Sequence, residues 1–325
     1  MQCWLLLTFL MLSNFKTSAA EVPRLDYCYK ETDCNPYLWV KSYPSCLPQK
    51  DKLHSPIDLN DEAVRNDTVP ALMFRGLARS GTVKNVRDTV VVDFDECMTV
   101  SGGWLKYKYR LVQIRFHWGS KTTNGSEHTL NNRRFPMEMQ LVGVAPGYKD
   151  VKSALNQQSG VAMIGVFIDI GPVNNVHFKA ISDAVSKVPY PGDSVKVTLP
   201  TLLQLMPTSN EPGNRIKFFY YQGGLTTPPC SQTVDWIVLE NPVLISSEQY
   251  LAFVTHLYYS DKSDSDQKLL EENYRPIQSS AMHKVLVSAQ ALEFHLARGA
   301  SRSLQTFFIP LCVLLSLLHL SLTMV

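Results

Sequence analysis

The stretch Gln113-Ile114-Arg115-Phe116-His117-Trp118-Gly119-Ser120 decides how the chain is read, together with Gly125-Ser126-Glu127-His128-Thr129 and Met137-Glu138-Met139-Gln140-Leu141-Val142 downstream of it. Leu111 to Trp118 and Met137 to Val144 are short, β-rich and bounded by turn residues, and they predict two strands. Val90 to Phe94, Val161 to Ile170, Ile216 to Tyr221 and Val234 to Leu239 read the same way. Helical patterns are fewer. Ser246-Ser247-Glu248-Gln249 caps a helix through Leu251, Phe253, Val254 and Leu257, and Val176 to Val185 is a second candidate. No repeat, low-complexity tract or long linker divides residues 21–287, which predicts one domain of about 265 residues.

Further on come Gly224-Leu225-Thr226-Thr227-Pro228-Pro229, Val234-Asp235-Trp236, Ser246-Ser247-Glu248-Gln249 and Asn273-Tyr274-Arg275-Pro276. In this order the motifs resemble the α-carbonic anhydrases across nearly the whole domain. The resemblance implies an α+β, mainly β fold: a single domain around a large, twisted, mostly antiparallel sheet with short surface helices. Tyr27-Cys28-Tyr29, Cys46 upstream of Ser55-Pro56-Ile57, and Cys230 directly after the Thr-Thr-Pro-Pro run look like the extracellular, glycolipid-anchored branch of that family. This similarity implies Cys46 paired with Cys230 and Cys28 with Cys34, and it leaves Cys97 without an obvious partner.

The family holds zinc with three histidines, two at i and i+2 on one strand, where alternate side chains share a face, and one on a neighbouring strand. Here those positions read Arg115, His117 and Gln140. A guanidinium has no lone pair to give a metal and keeps its charge at any relevant pH, and an amide oxygen is a weak substitute for an imidazole. At about 4 Å and an effective dielectric near 20, a unit charge opposes a divalent ion by roughly 8 kcal/mol, against the roughly 10 to 16 of a structural zinc site. No zinc or other cofactor is therefore expected. The resemblance also maps Gln113 and Glu138 onto residues that orient the ligand histidines, and Thr226 with Glu127 onto the pair that orients zinc-bound hydroxide, with Thr227 beside them; all are expected as vestiges. Asp88 falls near the place of the family's proton-shuttle histidine, and Met163 on the cavity wall beside the old site. His54, His177, His256 and His283 are scattered without ligand spacing and read as ordinary surface or core residues.

The two ends of the 325-residue chain carry different signals. Leu5 to Leu12 followed by Thr17-Ser18-Ala19-Ala20 has the apolar run and small-residue site of a secretory signal peptide, residues 1–20. Phe307 to Val325 ends the chain in a second apolar run with no basic residue after it. With the polar stretch before it, the segment 288–325 has the form of a glycolipid (GPI) anchor signal, attached at Ser288 or among Gly299, Ala300 and Ser301. A C-terminal transmembrane helix is the alternative, since roughly 17 to 25 apolar residues span a bilayer. Cys3 and Cys312 fall in the two removable segments, which leaves five cysteines, hence two bridges and one thiol over. Asn66-Asp67-Thr68 and Asn124-Gly125-Ser126 are acceptor sequons for glycosylation at Asn66 and Asn124. A net charge of +2 gives no nucleic-acid footprint, and 18% charged with 45% hydrophobic residues is the composition of a folded globular protein.

The leading expectation is a GPI-anchored protein on the outer face of the cell membrane that keeps the fold, lacks the zinc ligands and recognises an extracellular protein partner, as the similarity to the carbonic-anhydrase-related proteins implies. Two rivals stand beside it. One is a zinc carbonic anhydrase, reversibly hydrating carbon dioxide, with an atypical metal site. The other is a small-molecule binder with a cavity around Val142, Leu225, Thr227 and Trp236, where Arg115 attracts an anion.

Overall fold

The computed structural model describes residues 25–49, 51–66, 68–76, 79–208, 217–288 and 295–297. The signal-peptide and hydrophobic-tail segments, Ile216, and Gly299 to Ser301 lie outside them.

Fifteen strands are present among the described residues: β1 (Asp58–Leu59), β2 (Val64–Asn66), β3 (Met73–Arg75), β4 (Ser80–Asn85), β5 (Val90–Ser101), β6 (Tyr109–Trp118), β7 (Thr129–Leu130), β8 (Arg133–Arg134), β9 (Met137–Val144), β10 (Val161–Gly171), β11 (Ser194–Thr198), β12 (Phe218–Gly223), β13 (Val234–Ser246), β14 (Leu286–Ser288) and β15 (His295–Ala297). The four α-helices are short: α1 (Val151–Ala154), α2 (Lys179–Val185), α3 (Leu202–Leu205) and α4 (Ser247–His256). Twelve strands form one sheet, in the order β11-β4-β5-β6-β9-β10-β13-β12-β14-β2, with β3 and β15 attached through β5. Most neighbours are antiparallel, as expected; β10 runs parallel to β13 from Val161↔Val234 onward, which makes the sheet mixed at its centre.

Both faces of the sheet are covered around β9, every residue of which is buried. One face carries the core of Phe116, Trp118, Ile164, Phe178, Ile181, Phe253 and Leu257, which packs the sheet against α2 and α4. Phe116 meets Phe253 at 5.3 Å between centroids and Trp118 meets it at 5.4 Å. Burying each such side chain contributes about 1.5 to 3 kcal/mol. The other face carries Ile57, Phe135, Val142, Met163, Phe167, Tyr221 and Trp236. A third cluster stands at the N-terminal end, where Trp39 packs on the Cys46–Cys230 bridge with Tyr27, Tyr29 and Tyr43 around it. The indole N–H of Trp39 donates to the carbonyls of Cys28 and Cys34.

The two disulfides are Cys28–Cys34 and Cys46–Cys230, as the resemblance implies, and Cys97 is a free, exposed thiol on β5. The second bridge spans 184 residues, and closing a loop of that length removes about 5 kcal/mol of unfolded-chain entropy.

The capping box at α4 forms as its sequence predicts: the Ser246 hydroxyl accepts from Gln249 N, and the Gln249 amide oxygen accepts from Ser246 N. The other candidate helix begins three residues late. Gln249 also accepts from Asn175 N and donates to Asn175 O, while the Asn175 side chain accepts from the backbone of His177 and Phe178. The Asn175 side chain holds residues 176–178 in a turn, with the Asn175 carbonyl accepting from Phe178 N and Lys179 N as well as from Gln249, so Val176 is 74% exposed and α2 starts at Lys179.

Candidate functional site

On β6 the side chains of Gln113, Arg115 and His117 share one face, and Arg115 pairs in register with Gln140 of β9, which pairs with Gly165 of β10. Residues 115, 117 and 140 are thus brought together on one face of the sheet. Gly165 leaves the room the site needs: a Cβ there would stand 3.1 Å from Glu138 Oε1.

His117 is fully buried, and its Nδ1 lies 2.7 Å from the Asn273 carbonyl. A carbonyl only accepts, so Nδ1 carries the proton, and the lone pair of a neutral ring is on Nε2. That nitrogen has no hydrogen-bond partner and lies 3.4 Å from Glu127 Oε2. Gln140 fills the third position by donating from Nε2 to Glu127 Oε2 at 2.9 Å and to Glu138 Oε1 at 3.0 Å; its own amide oxygen has no partner. Glu138 in turn accepts from His128 N and Nδ1, both at 2.8 Å. Burial alone would raise the Glu138 carboxyl, but the charge and ring N–H of His128, the Gln140 amide and the His128 backbone N–H outweigh it and hold the group at about 2.

Arg115 is paired with Asp88. Its Nη2 donates to Asp88 Oδ2 at 2.8 Å, and the same oxygen accepts from the Tyr27 hydroxyl at 2.8 Å. Burial works against the charged guanidinium, yet the nearby Asp88, Tyr27 and Tyr29 leave its pKa above the usual arginine value. Asp88 therefore stands where a proton shuttle is expected, but as the anchor of an ion pair.

Gln113, expected as a vestige, makes no side-chain hydrogen bond among the described residues, and its amide oxygen is buried without a partner. Two expectations need correction. Glu127 does not bond to Thr226. Its carboxylate accepts from Gln140 and from Arg275 N at 3.2 Å, because the amide at 140 and the backbone at 275 supply the nearest donors. Thr226 is buried and Thr227 half-buried, and neither hydroxyl makes a hydrogen bond among the described residues. An anion-binding cavity is also poorly supported, since Asp88 already neutralises Arg115, while Val142 and Trp236 are core residues packed with Met163.

Zinc does not fit this donor set. The three positions offer one imidazole nitrogen, one amide oxygen and a guanidinium already held by Asp88, where catalytic zinc takes three protein ligands. Among the described residues no group of three or more His, Cys, Asp or Glu side chains is arranged to hold a metal ion.

The eukaryotic-type carbonic anhydrase model matches residues 34–289. The chain belongs to that family. It is 32% identical over 270 residues to human carbonic anhydrase 12, covering 81% of this chain and 73% of that protein. It is 34% identical over 265 residues to mouse carbonic anhydrase 7, covering 80% and 96%. It also resembles the human receptor-type tyrosine-protein phosphatase zeta at 32% identity over 223 residues, which is 66% of this chain but 9% of the receptor.

Several members of the site escaped sequence reasoning. Asn273 orients His117 through its carbonyl, and its side-chain oxygen accepts from Trp118 N at 2.8 Å. Arg275, fully buried, donates to the carbonyls of Ser55 and Cys46 and so ties the disulfide lobe to the site. His128 reaches Tyr221 Oη at 2.6 Å, which meets Ser55 Oγ at 2.8 Å. The motif residues were visible; their partners lie far along the chain.

Proposed function

We propose that this carbonic-anhydrase family member is a catalytically inactive, GPI-anchored recognition module on the extracellular face of the cell membrane, binding a protein partner rather than hydrating carbon dioxide. The observation that carries this is Arg115: at a ligand position stands a guanidinium paired to Asp88 at 2.8 Å, with His117 the one imidazole among the three positions. A zinc-bound water with its pKa lowered to about 7 needs a metal held by lone pairs that this set lacks. The similarity to a segment of a receptor-type phosphatase supports a recognition role for the fold. Two disulfides fit a secreted chain.

Ser288 is buried within β14, pairs with Asn66 and accepts from Phe218 N, so a glycolipid there would require the strand end to leave the sheet. Attachment among Gly299, Ala300 and Ser301 is the proposed site. At the sequons, Thr68 folds back on Asn66, and the Asn124 amide donates to the Arg134 carbonyl from an exposed position that leaves one N–H free for a glycan. Metal analysis of the purified full-length chain, with carbon dioxide hydration measured against buffer, tests the proposal: about zero zinc per chain and background hydration are expected. Stoichiometric zinc or sulfonamide-sensitive hydration would return the chain to the enzymes.

A further inference from the structure

Beyond the rim of the site the same sheet face becomes strongly basic. Arg75 of β3 pairs with Thr99 of β5, and Thr99 pairs with Arg110 of β6. Directly paired residues point to one face, and adjacent strands lie about 4.8 Å apart, so the two arginines stand about 10 Å from each other at the backbone. Lys106 and Lys108 precede Arg110 and are exposed. From the other side, Arg110 Nη2 donates to the Lys149 carbonyl at 2.6 Å, which holds the exposed Lys149 and Lys152 against the same corner.

These six cations have no ion-pair partner among the described residues. The one carboxylate among them in the described residues, Asp150, is occupied in capping α1 by accepting from Ser153 N at 2.8 Å. Six positive charges less one make +5 for the corner, so a chain of net charge +2 carries −3 on everything else. The charge is concentrated, and the pI of the whole conceals it.

We infer that this corner binds a linear sulfated polysaccharide of the glycosaminoglycan class. A polymer with regularly spaced sulfates suits a row of guanidinium and ammonium groups on a sheet face, where the gain comes from counterion release rather than from a closed pocket. The surface offers little to a lipid bilayer: the exposed large apolar side chains, Tyr37, Val64, Val173, Val176, Leu244 and Met282 among them, all lie elsewhere, and interfacial binding needs such anchors. This inference does not rest on the state of the zinc site.

The test uses the full-length chain and heparin as the probe, by surface capture across a salt series. Lys106→Gln, Lys108→Gln, Lys149→Gln and Lys152→Gln together neutralise four exposed side chains. At physiological salt this variant should bind heparin on the order of 10²-fold more weakly and show a shallower salt dependence. A charge-matched control, Lys41→Gln, Lys52→Gln, Lys121→Gln and Lys187→Gln, should bind as the unmodified chain does, and desulfated heparin should not bind. Equal loss in both variants would reduce the effect to net charge and overturn the inference. So would unchanged binding in the first variant, undiminished binding of desulfated heparin, or binding to phosphatidylserine vesicles as tight as to heparin.

Discussion

Restoring the missing imidazoles is the most demanding test of the site, and the structure sets its terms. Arg115→His and Gln140→His together would place three histidines on β6 and β9 in the register now shared by Arg115, His117 and Gln140. Two of the supports are already present: Asn273 O holds His117 Nδ1, and Glu138 is an ionised acceptor 3.0 Å from the side chain at position 140. Neither single variant has three ligands, so each should retain under about 0.1 zinc per chain after desalting, whereas the double variant should approach about one. Binding of about 10 kcal/mol or more corresponds to a submicromolar Kd, within reach of competition with a chromophoric chelator. There is a cost. Arg115→His strips Asp88, whose side chain is 7% exposed, of its cation, and breaking such a pair from one side costs about 2 to 3 kcal/mol when the guanidinium is partly solvated. Asp88→Asn should recover much of that loss by keeping an acceptor for Tyr27 without an unpaired charge. If the double variant binds no more zinc than Arg115→His alone, the assignment of ligand positions is wrong; if the unmodified chain already holds one zinc, so is the case against the metal.

Other outcomes follow from single features. His283 packs edge-on against Tyr221 near His54; burial first, then the charges of His54 and His128, pulls its pKa down to about 4, with backbone carbonyls opposing. Because the folded ring resists protonation, stability is fully present above about pH 6.5 and falls as pH drops from 6.5 towards 4, by at most about 3 kcal/mol and about 2 after allowing for solvent access. His283→Gln should flatten that limb in urea titrations at pH 7 and pH 5, and an unchanged difference between the two pH values would count against it. Cys46→Ala with Cys230→Ala should lose about 5 kcal/mol, read as a lower urea midpoint; a loss under about 1 kcal/mol would show that residual unfolded-state structure cancels the loop entropy. Treating intact cells with phosphatidylinositol-specific phospholipase C should release the chain to the medium, and retention while a known anchored protein is released would point to a transmembrane tail.

The long central strands were legible because their apolar runs and turn boundaries are local properties: β6, β9, β10 and β13 fall where the pattern places them, although β5 and β13 run on further, to Ser101 and Ser246. The short strands β2, β3 and β14 were not, since each has three residues and owes its conformation to neighbours distant in sequence. Within the site, the residue types at 115, 117 and 140 were enough to question the metal. The Asp88 pairing was not visible, because it depends on how the turn before β5 meets the guanidinium 27 residues later. The resemblance likewise suggested a Thr226–Glu127 pair, and an amide at 140 redirects the carboxylate in a way no motif records.

The Tyr27–Asp88–Arg115 chain of contacts has a consequence for how the molecule opens. An N-terminal segment with one small disulfide would ordinarily fray, its amides exchanging with solvent through cheap local fluctuations. Here the Tyr27 hydroxyl is fastened to Asp88, which also holds Arg115 of β6, and Arg275 joins Cys46 to Ser55 beside it. Amides such as Cys28 N, bonded to the Cys34 carbonyl, should therefore exchange more slowly than a free terminus would, and Tyr27→Phe should speed them by removing the bond to Asp88. These contacts act as a rivet between the N-terminal segment and the sheet, and hydrogen exchange across residues 27–46 would measure how tightly it is set.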